Sequence, residues 1–289
     1  MPSTRTGPAE PTPQAEPAPQ PQAPALLEPV RAAVVAKFAT MVEMIVFCAS
    51  AIATIPRTRQ FASEVLRQIG YLVISSGLII WFMQLMIGAV FAVEGNYLTR
   101  QFGAPGYVGI FPALGGLRTT APEMWGWILA AKVGCGLVAE IGSARISEEI
   151  DALEVMGIEP KTYLIGTRVL AALVAMPFLY VTGVALSYVS SYLMIVHVLG
   201  TVSSAGFLTI LWAFQNPLDL LFSTLWGLAL GTIVILVGCY YGYTASGGPI
   251  GVGKNTAKSM LVNMVLVSVV GLLAQQAFWG GFPNAPIAN

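Results

Sequence analysis

Long apolar runs separated by short polar breaks dominate the pattern along this chain. Four runs, Gly70–Val93, Val169–Ile195, Leu220–Tyr243 and Ser259–Trp279, contain no charged residue. Each reaches the roughly 20 residues a helix needs to cross the hydrocarbon core of a bilayer. A fifth run, Ala121–Ala139, is interrupted by Glu123 and Lys132. The stretch Phe38–Ile55 is apolar around a central Glu43 and is followed by Pro56, Arg57 and Arg59. That pattern predicts a helix lying in or near the membrane interface, with a sixth crossing as the alternative. Residues 1–25 are Pro, Ala, Gln and Glu with few large apolar side chains. Such a segment cannot bury enough surface to offset its ordering entropy and is expected to be a disordered tail. It is not a signal peptide, because no apolar core follows Arg5. The expected fold is therefore an all-α integral membrane protein with three parts: residues 1–25, an interfacial helical segment 26–69, and a five-crossing domain 70–289.

Orientation follows from the basic residues, which are retained in cytoplasmic loops. Arg57, Arg59 and Arg67 precede the first crossing, Arg145, Lys161 and Arg168 separate the second from the third, and Lys254 and Lys258 lie before the fifth. The other side has only Arg100 and Arg118. This distribution predicts a plasma-membrane protein with a cytoplasmic N-terminus and an extracytoplasmic C-terminus. Helix packing is also written into the runs. Gly227 and Gly231, and again Gly238 and Gly242, form small-xxx-small pairs that let backbones approach closely.

Composition sharpens this picture. The 289 residues are 56% hydrophobic and 10% charged, with mean hydropathy +0.74, whereas a soluble domain carries about a quarter charged residues. Fourteen basic and fourteen acidic residues balance to zero net charge, which excludes the basic footprint of a nucleic-acid binder. Cys48, Cys135 and Cys239 are far apart in apolar stretches; neither a disulfide framework nor a zinc site is expected. One histidine, His197, cannot build a metal site, and no nucleophile–base cluster is visible, so no catalytic residue, metal or cofactor is expected.

The most informative segment is Glu140–Pro160, EIGSARISEEIDALEVMGIEP. Its grammar is that of a short helix between two crossings on the cytoplasmic side. Ser147 is placed to cap the free amides, and Glu148, Glu149 and Asp151 fall in the first turn, where the helix dipole favours negative charge. Gly157 suits the left-handed position after the helix and Pro160 prevents continuation. Ile146, Ile150 and Leu153 form one stripe, with Asp151 and Glu154 on another face. From these residues alone the segment is either a docking element for a basic groove or a solvated loop.

This run closely resembles the signature of the MlaE/YrbE permease family, the membrane subunits of Mce-type lipid ABC transporters. The likeness is dense over Lys132–Pro160, and AKVGCGLVAEIG is most similar to the B-type YrbE subunits of actinobacterial Mce complexes. The resemblance implies a permease domain over residues 70–289 with a coupling helix near 147–156, in which Arg145, Ser147, Glu148, Glu149, Asp151, Glu154 and Gly157 contact an ATPase. It further implies a permease partner, either an A-type YrbE paralogue or a second copy, together with a cytoplasmic ABC ATPase dimer and extracytoplasmic Mce proteins. The implied cargo is a lipid, such as a fatty or mycolic acid, a sterol or a phospholipid, with import as the expected direction. The chain departs from the family where Thr119 follows Arg118 in place of a Glu, with Glu123 after Pro122, and where Lys132 stands for a frequent Arg.

Charges inside a membrane are functional candidates by default. Lys132 belongs either to a lipid path or to a pair with a carbonyl or an acid. Arg118, near a helix N-terminus at the outer end of the second crossing, suits an anionic head group or an interfacial anchor. Trp81, Met83 and Met86 offer an adaptable surface for a lipid pocket, although such residues also simply face lipid. Two look-alikes are set aside. Gly248–Asn255, GPIGVGKN, resembles a phosphate loop but follows a membrane run and has Asn255 at the metal position; it is expected to be a Gly-rich cytoplasmic turn. Gly134, Gly136 and Ala139 mimic a dinucleotide fingerprint inside a crossing. A second class, an ion-coupled secondary carrier using Lys132, Glu123 and Glu43, and a third, a membrane enzyme, remain weaker readings of the same residues.

Overall fold

The structure, a computed structural model, describes residues 27–281; the expected tail at residues 1–25 lies outside the described residues. Among the described residues the chain divides into two compact units between Glu43 and Met44. In the first, the described part is the beginning of helix α1 (Leu27–Thr54), where Val35, Phe38, Met41 and Val42 are exposed. The second unit contains every other element. Residues 44–54 of α1 pack within it, with the Phe47 ring 5.5 Å from Tyr240 and 5.6 Å from Tyr243.

Five helical stretches are long and apolar enough to cross a membrane, and every regular element among the described residues is helical. The first continues from α1 through a 3₁₀ segment (Ile55–Phe61) into α2 (Ala62–Gln101). At 40 residues α2 is about 60 Å long, roughly twice the hydrocarbon thickness. It therefore outruns the apolar run Gly70–Val93 at both ends, because extending an existing helix adds one hydrogen bond per residue fixed. The second stretch, Phe111–Ile146, opens with π turns at Phe111–Thr120 and continues as α3 (Ala121–Leu129), joined through a π turn at Ala130–Gly134 to α4 (Cys135–Ile146). A short helix, α5 (Glu149–Val155), follows. The third stretch, Lys161–Val198, is α6 (Thr167–Tyr192) flanked by two further π turns.

A short apolar helix that the run pattern did not predict, α7 (Ser204–Ala213), comes next. The Ser203 hydroxyl accepts from the Gly206 N–H at 3.1 Å. Phe207 and Leu211 are buried with Ala92, Val108, Ala113 and Ile195 in a separate apolar cluster. The fourth and fifth stretches are α8 (Pro217–Tyr243) and α9 (Gly248–Trp279). The phosphate-loop look-alike is not the expected turn but the opening of α9. Gly247 and Gly248 take left-handed φ of 83° and 70°, and Pro249 starts the helix. Asn255 donates to the Tyr241 carbonyl at 3.0 Å.

Helix α8 is the central post. Gly227, Gly231, Gly238 and Gly242 line one face of it, since eleven residues make about three turns. Two neighbours cover that face. A Cβ added at Gly227 or Gly231 would meet Tyr180 and Met176 of α6, and one at Gly238 or Gly242 would meet Gly134 and Ile141 of the second crossing. The α2–α6 seam is equally close: a Cβ at Gly88 would run into the Ser187 carbonyl oxygen. Ser190 and Ser191 donate across this seam to the Leu85 and Gly88 carbonyls at 2.5 and 2.9 Å. Where lipid removes the hydrophobic drive between helices, such close contact and polar bonding hold the bundle together.

Candidate functional site

The acidic segment folds as a helix, but its entry differs from the expected one. Ser147 ends α4 and does not cap α5: its hydroxyl donates back to the Ser143 carbonyl at 2.9 Å and approaches Glu149 Oε1 at 3.1 Å. The second crossing simply continues to Ile146, so a hydroxyl there finds the carbonyl four residues earlier, a common alternative to capping. The reversal into α5 is made at Glu148, the one non-glycine residue with positive φ (61°) among the described residues. Glu149 and Asp151 then occupy the first turn, as expected. At the other end Gly157 has φ 74°, with Ile158 N–H donating to Leu153 O and Gly157 N–H to Glu154 O, both at 3.0 Å. These two bonds form a Schellman closure, which favours glycine.

Two tethers hold α5 to the membrane domain. Ile150 is fully buried and Leu153 half-buried, so these two members of the predicted stripe face inward, while Ile146, half-buried, falls at the end of α4. Arg145 pairs with Asp151 at 2.6 Å, and its guanidinium lies 5.9 Å from the Tyr243 ring centroid at the end of α8. Around this anchor Glu148, Glu149 and Glu154 are exposed, and so are Val155 (90%) and Met156 (65%). The result is a short, anchored helix with an acidic flank and an apolar tip.

Beneath α5 lies an open cleft of about 650 Å³, reached by Arg67, Glu140, Glu149, Met156 and Arg168. Glu140, which opens the acidic segment, accepts from Arg168 at 2.5 Å. Arg168 also donates to the Leu164 carbonyl at 2.7 Å. This pair ties the second crossing to the third where α5 begins. Sequence reasoning used Glu140 and Arg168 only as boundary and loop charge, because 28 residues separate them.

The expected lipid-path residues are not brought together. Trp81 donates to the Thr182 hydroxyl at 2.8 Å and lines an apolar groove with Phe178 and Leu179, while Met83 and Met86 are each 40% exposed. Arg118 is drawn inward: its Nε and Nη2 donate to Asp219 Oδ2 at 3.0 and 2.6 Å, and it lies 5.9 Å from the Trp279 ring. Trp279 in turn donates to Asp219 Oδ1 at 2.8 Å. This cluster joins the second, fourth and fifth crossings. Of the two readings left open for Arg118, neither named Asp219, which is fully buried 101 residues away. Lys132 lies 14 residues from Arg118 on the same stretch, about 21 Å along the axis. It is exposed and lines a groove that also holds Glu140 and Arg168. Glu123 packs against α9, with its carboxylate filling the notch left by Gly271. No group of three or more His, Cys, Asp or Glu able to hold a metal occurs among the described residues.

Known proteins resemble this chain over most of its length. The permease family described as Permease MlaE matches residues 65–277, which include all five apolar stretches in whole or in large part. A probable ABC transporter permease protein of Rickettsia conorii is 28% identical over 233 residues, covering 81% of this chain and 90% of the relative. A probable ABC transporter permease protein of Synechocystis is 29% identical over 63% of this chain and 69% of its own length. The chloroplastic protein TRIGALACTOSYLDIACYLGLYCEROL 1 of Arabidopsis thaliana is 27% identical over 68% of this chain and 55% of its own. With a helical multi-pass membrane domain and a family match over most of its length, the chain belongs to the MlaE permease family.

Proposed function

We propose that this chain is the membrane-spanning permease subunit of an ATP-driven lipid transporter, with ATP hydrolysed on a separate ABC ATPase that grips α5 from the cytosol. One observation carries the reading: α5 is anchored by Ile150 and Arg145 yet leaves Glu148, Glu149, Glu154, Val155 and Met156 exposed. A helix that is fixed at its base and exposed at its tip can pass a push from a partner into α4 and α8. Relatives named as ABC transporter permeases support the ATPase partnership, and a relative named for a galactosyl diacylglycerol supports a lipid cargo. Similarity of AKVGCGLVAEIG to B-type YrbE subunits favours an actinobacterial Mce-type complex, in which this chain pairs with an A-type paralogue or with itself and meets Mce proteins outside the plasma membrane. Import of fatty or mycolic acids, sterols or phospholipids is the direction and cargo range that this membership suggests. In this arrangement the N-terminus is cytoplasmic and the C-terminus extracytoplasmic.

The test leaves the tether intact. Asp151 is bound to Arg145, so charge reversal is placed at Glu148, Glu149 and Glu154, each to Lys. The variant is expected to reach the membrane in normal amount and to lose co-purification of the ATPase. Unchanged ATPase retention, or labelling of Glu154→Cys from the cell exterior, would overturn the coupling role.

A further inference from the structure

A groove between α2, α4 and α6 has a polar character that packing does not explain. It is lined by Ser75 and Ser76 of α2, Lys132 and Gly136 of the second crossing, and Glu140 and Arg168, with a volume of about 80 Å³. Liquid water occupies about 30 Å³ per molecule, so this is room for a few waters or one compact anionic group. Lys132 is exposed and has no hydrogen bond or ion pair among the described residues. Arg168 is 9% exposed; Glu140 takes its Nη2 and the Leu164 carbonyl its Nη1, while its Nε has no partner. Ser76 is 4% exposed, and its hydroxyl is bonded only to that of Ser75, at 3.3 Å. Glu140 offsets Arg168, so the charge of Lys132 remains as a surplus of one positive unit. A buried donor without a partner carries a desolvation cost that a bound acceptor would relieve.

Geometry makes this a path as well as a spot. Eight residues separate Lys132 from Glu140, about 12 Å along the helix. One end of the groove is therefore at the Glu140–Arg168 pair, near the α5 end of the bundle, and the other is deep in the apolar run. Gly136 keeps it open, since a Cβ there would meet nothing within 4 Å. Lys132 at one end, the Glu140-paired Arg168 with its free Nε at the other, and Ser75 and Ser76 in the same lining leave one net positive charge and several donors, which suit a phosphate or carboxylate that carries acyl chains into the surrounding hydrocarbon.

We propose that this groove binds the anionic head group of a lipid from the leaflet on the α5 side, and so forms a lateral port between that leaflet and the permease. The assignment of that leaflet as cytoplasmic rests on the function proposed above; binding itself does not. The purified full complex is placed in nanodiscs of phosphatidylcholine containing a minor share of phosphatidylglycerol, and retained lipids are counted by native mass spectrometry. A photoreactive phosphatidylglycerol maps the contact. Wild-type protein is expected to retain phosphatidylglycerol in preference, with adducts around Ser75 and Gly136. Lys132→Met should lower that preference on the order of tenfold, the loss expected for one charged hydrogen bond, and Lys132→Arg should restore it. Gly136→Leu, whose Cβ meets no atom within 4 Å and whose side chain narrows the groove, should lower it as well while leaving the protein monodisperse. A preference that survives both Lys132→Met and Gly136→Leu would overturn the proposal. So would adducts confined elsewhere, competition by inorganic phosphate alone (a free-anion site), or protection of the groove by a partner subunit. ATPase retention is read in the same samples: its loss in the wild type would sink the transport reading and leave the lipid result standing.

Discussion

Two arginine–aspartate pairs of equal length sit in opposite settings. Arg118 meets Asp219 at 2.6 Å with side chains 11% and 1% exposed, and Arg145 meets Asp151 at 2.6 Å with side chains 37% and 57% exposed. Distance alone would rank them as equals. Their surroundings do not. Asp219 is completed by the Trp279 indole, and Arg118 lies by the same ring, so the first pair is a clamp between three crossings. Burying such charges is costly, and a lone survivor would be worse than the pair or than none. The second pair is largely solvated, contributes little net stability, and is free to re-form as α5 moves. The buried pair fixes the bundle, while the exposed pair leaves α5 adjustable.

Breaking the clamp should have the largest effect. Asp219→Ala removes the carboxylate that the half-buried Arg118 and Trp279 share, a loss on the order of 3–5 kcal/mol. Thermal unfolding in detergent, followed by size-exclusion chromatography, should show a sharp drop in midpoint and in monodisperse yield. Replacing both partners, Arg118→Met with Asp219→Leu, should recover most of it, because the penalty comes from the orphaned charge. An Asp219→Ala protein as stable as wild type would mean that water or lipid already compensates Arg118.

The two pairs also mark how far the sequence could be read. The crossings were legible because 20-residue apolar runs admit few other folds in water or lipid. Gly157 was legible because a left-handed closure at 74° leaves few residue choices. Ile150 was legible as the inward stripe of a short helix. What escaped has a common physical origin: it depends on where helices continue or on which distant residues meet. Ser147 was misread as a cap because nothing local marks whether α4 stops before it. Asp219 stood in the first turn of its helix, a place that ordinary dipole effects already explain, so nothing signalled a partner 101 residues away. The ten residues of α7, mostly apolar, are too few for a crossing and carry no amphipathic pattern. The π turns have no sequence signature at all.

A second contrast, within α2, sharpens the lesson with no charge involved. Gly88 touches the backbone of Ser187, whereas a methyl group at Gly70 would find nothing within 4 Å. Gly88→Ala must push the α2–α6 seam apart and is expected to cost about 1–3 kcal/mol, the usual range for overpacking. Gly70→Ala should be neutral or slightly stabilising, since alanine is the better helix former by about 1 kcal/mol. Thermal midpoints of the two variants measure the difference directly. Equal midpoints would show that the seam opens more readily than its hydrogen bonds from Ser190 and Ser191 suggest.

The smallest effect on stability is expected at the exposed pair, and that is what makes it useful. Arg145→Met should change the unfolding midpoint by no more than about 0–1 kcal/mol equivalent, because Ile150 still buries α5 against the bundle. Local order should respond more. Without the arginine, α5 loses the link from its Asp151 to α4, and α4 loses its contact with Tyr243 of α8, so hydrogen exchange over Glu149–Val155 should speed up while α8 stays protected. If the helix transmits a push from an ATPase, this loosening should also weaken the stimulation of ATP hydrolysis by lipid without abolishing ATPase binding, because the exposed Glu148, Glu154 and Met156 are untouched. Faster exchange with unchanged stimulation would confine Arg145 to a structural tether; a midpoint falling as far as that of Asp219→Ala would erase the distinction between the two pairs.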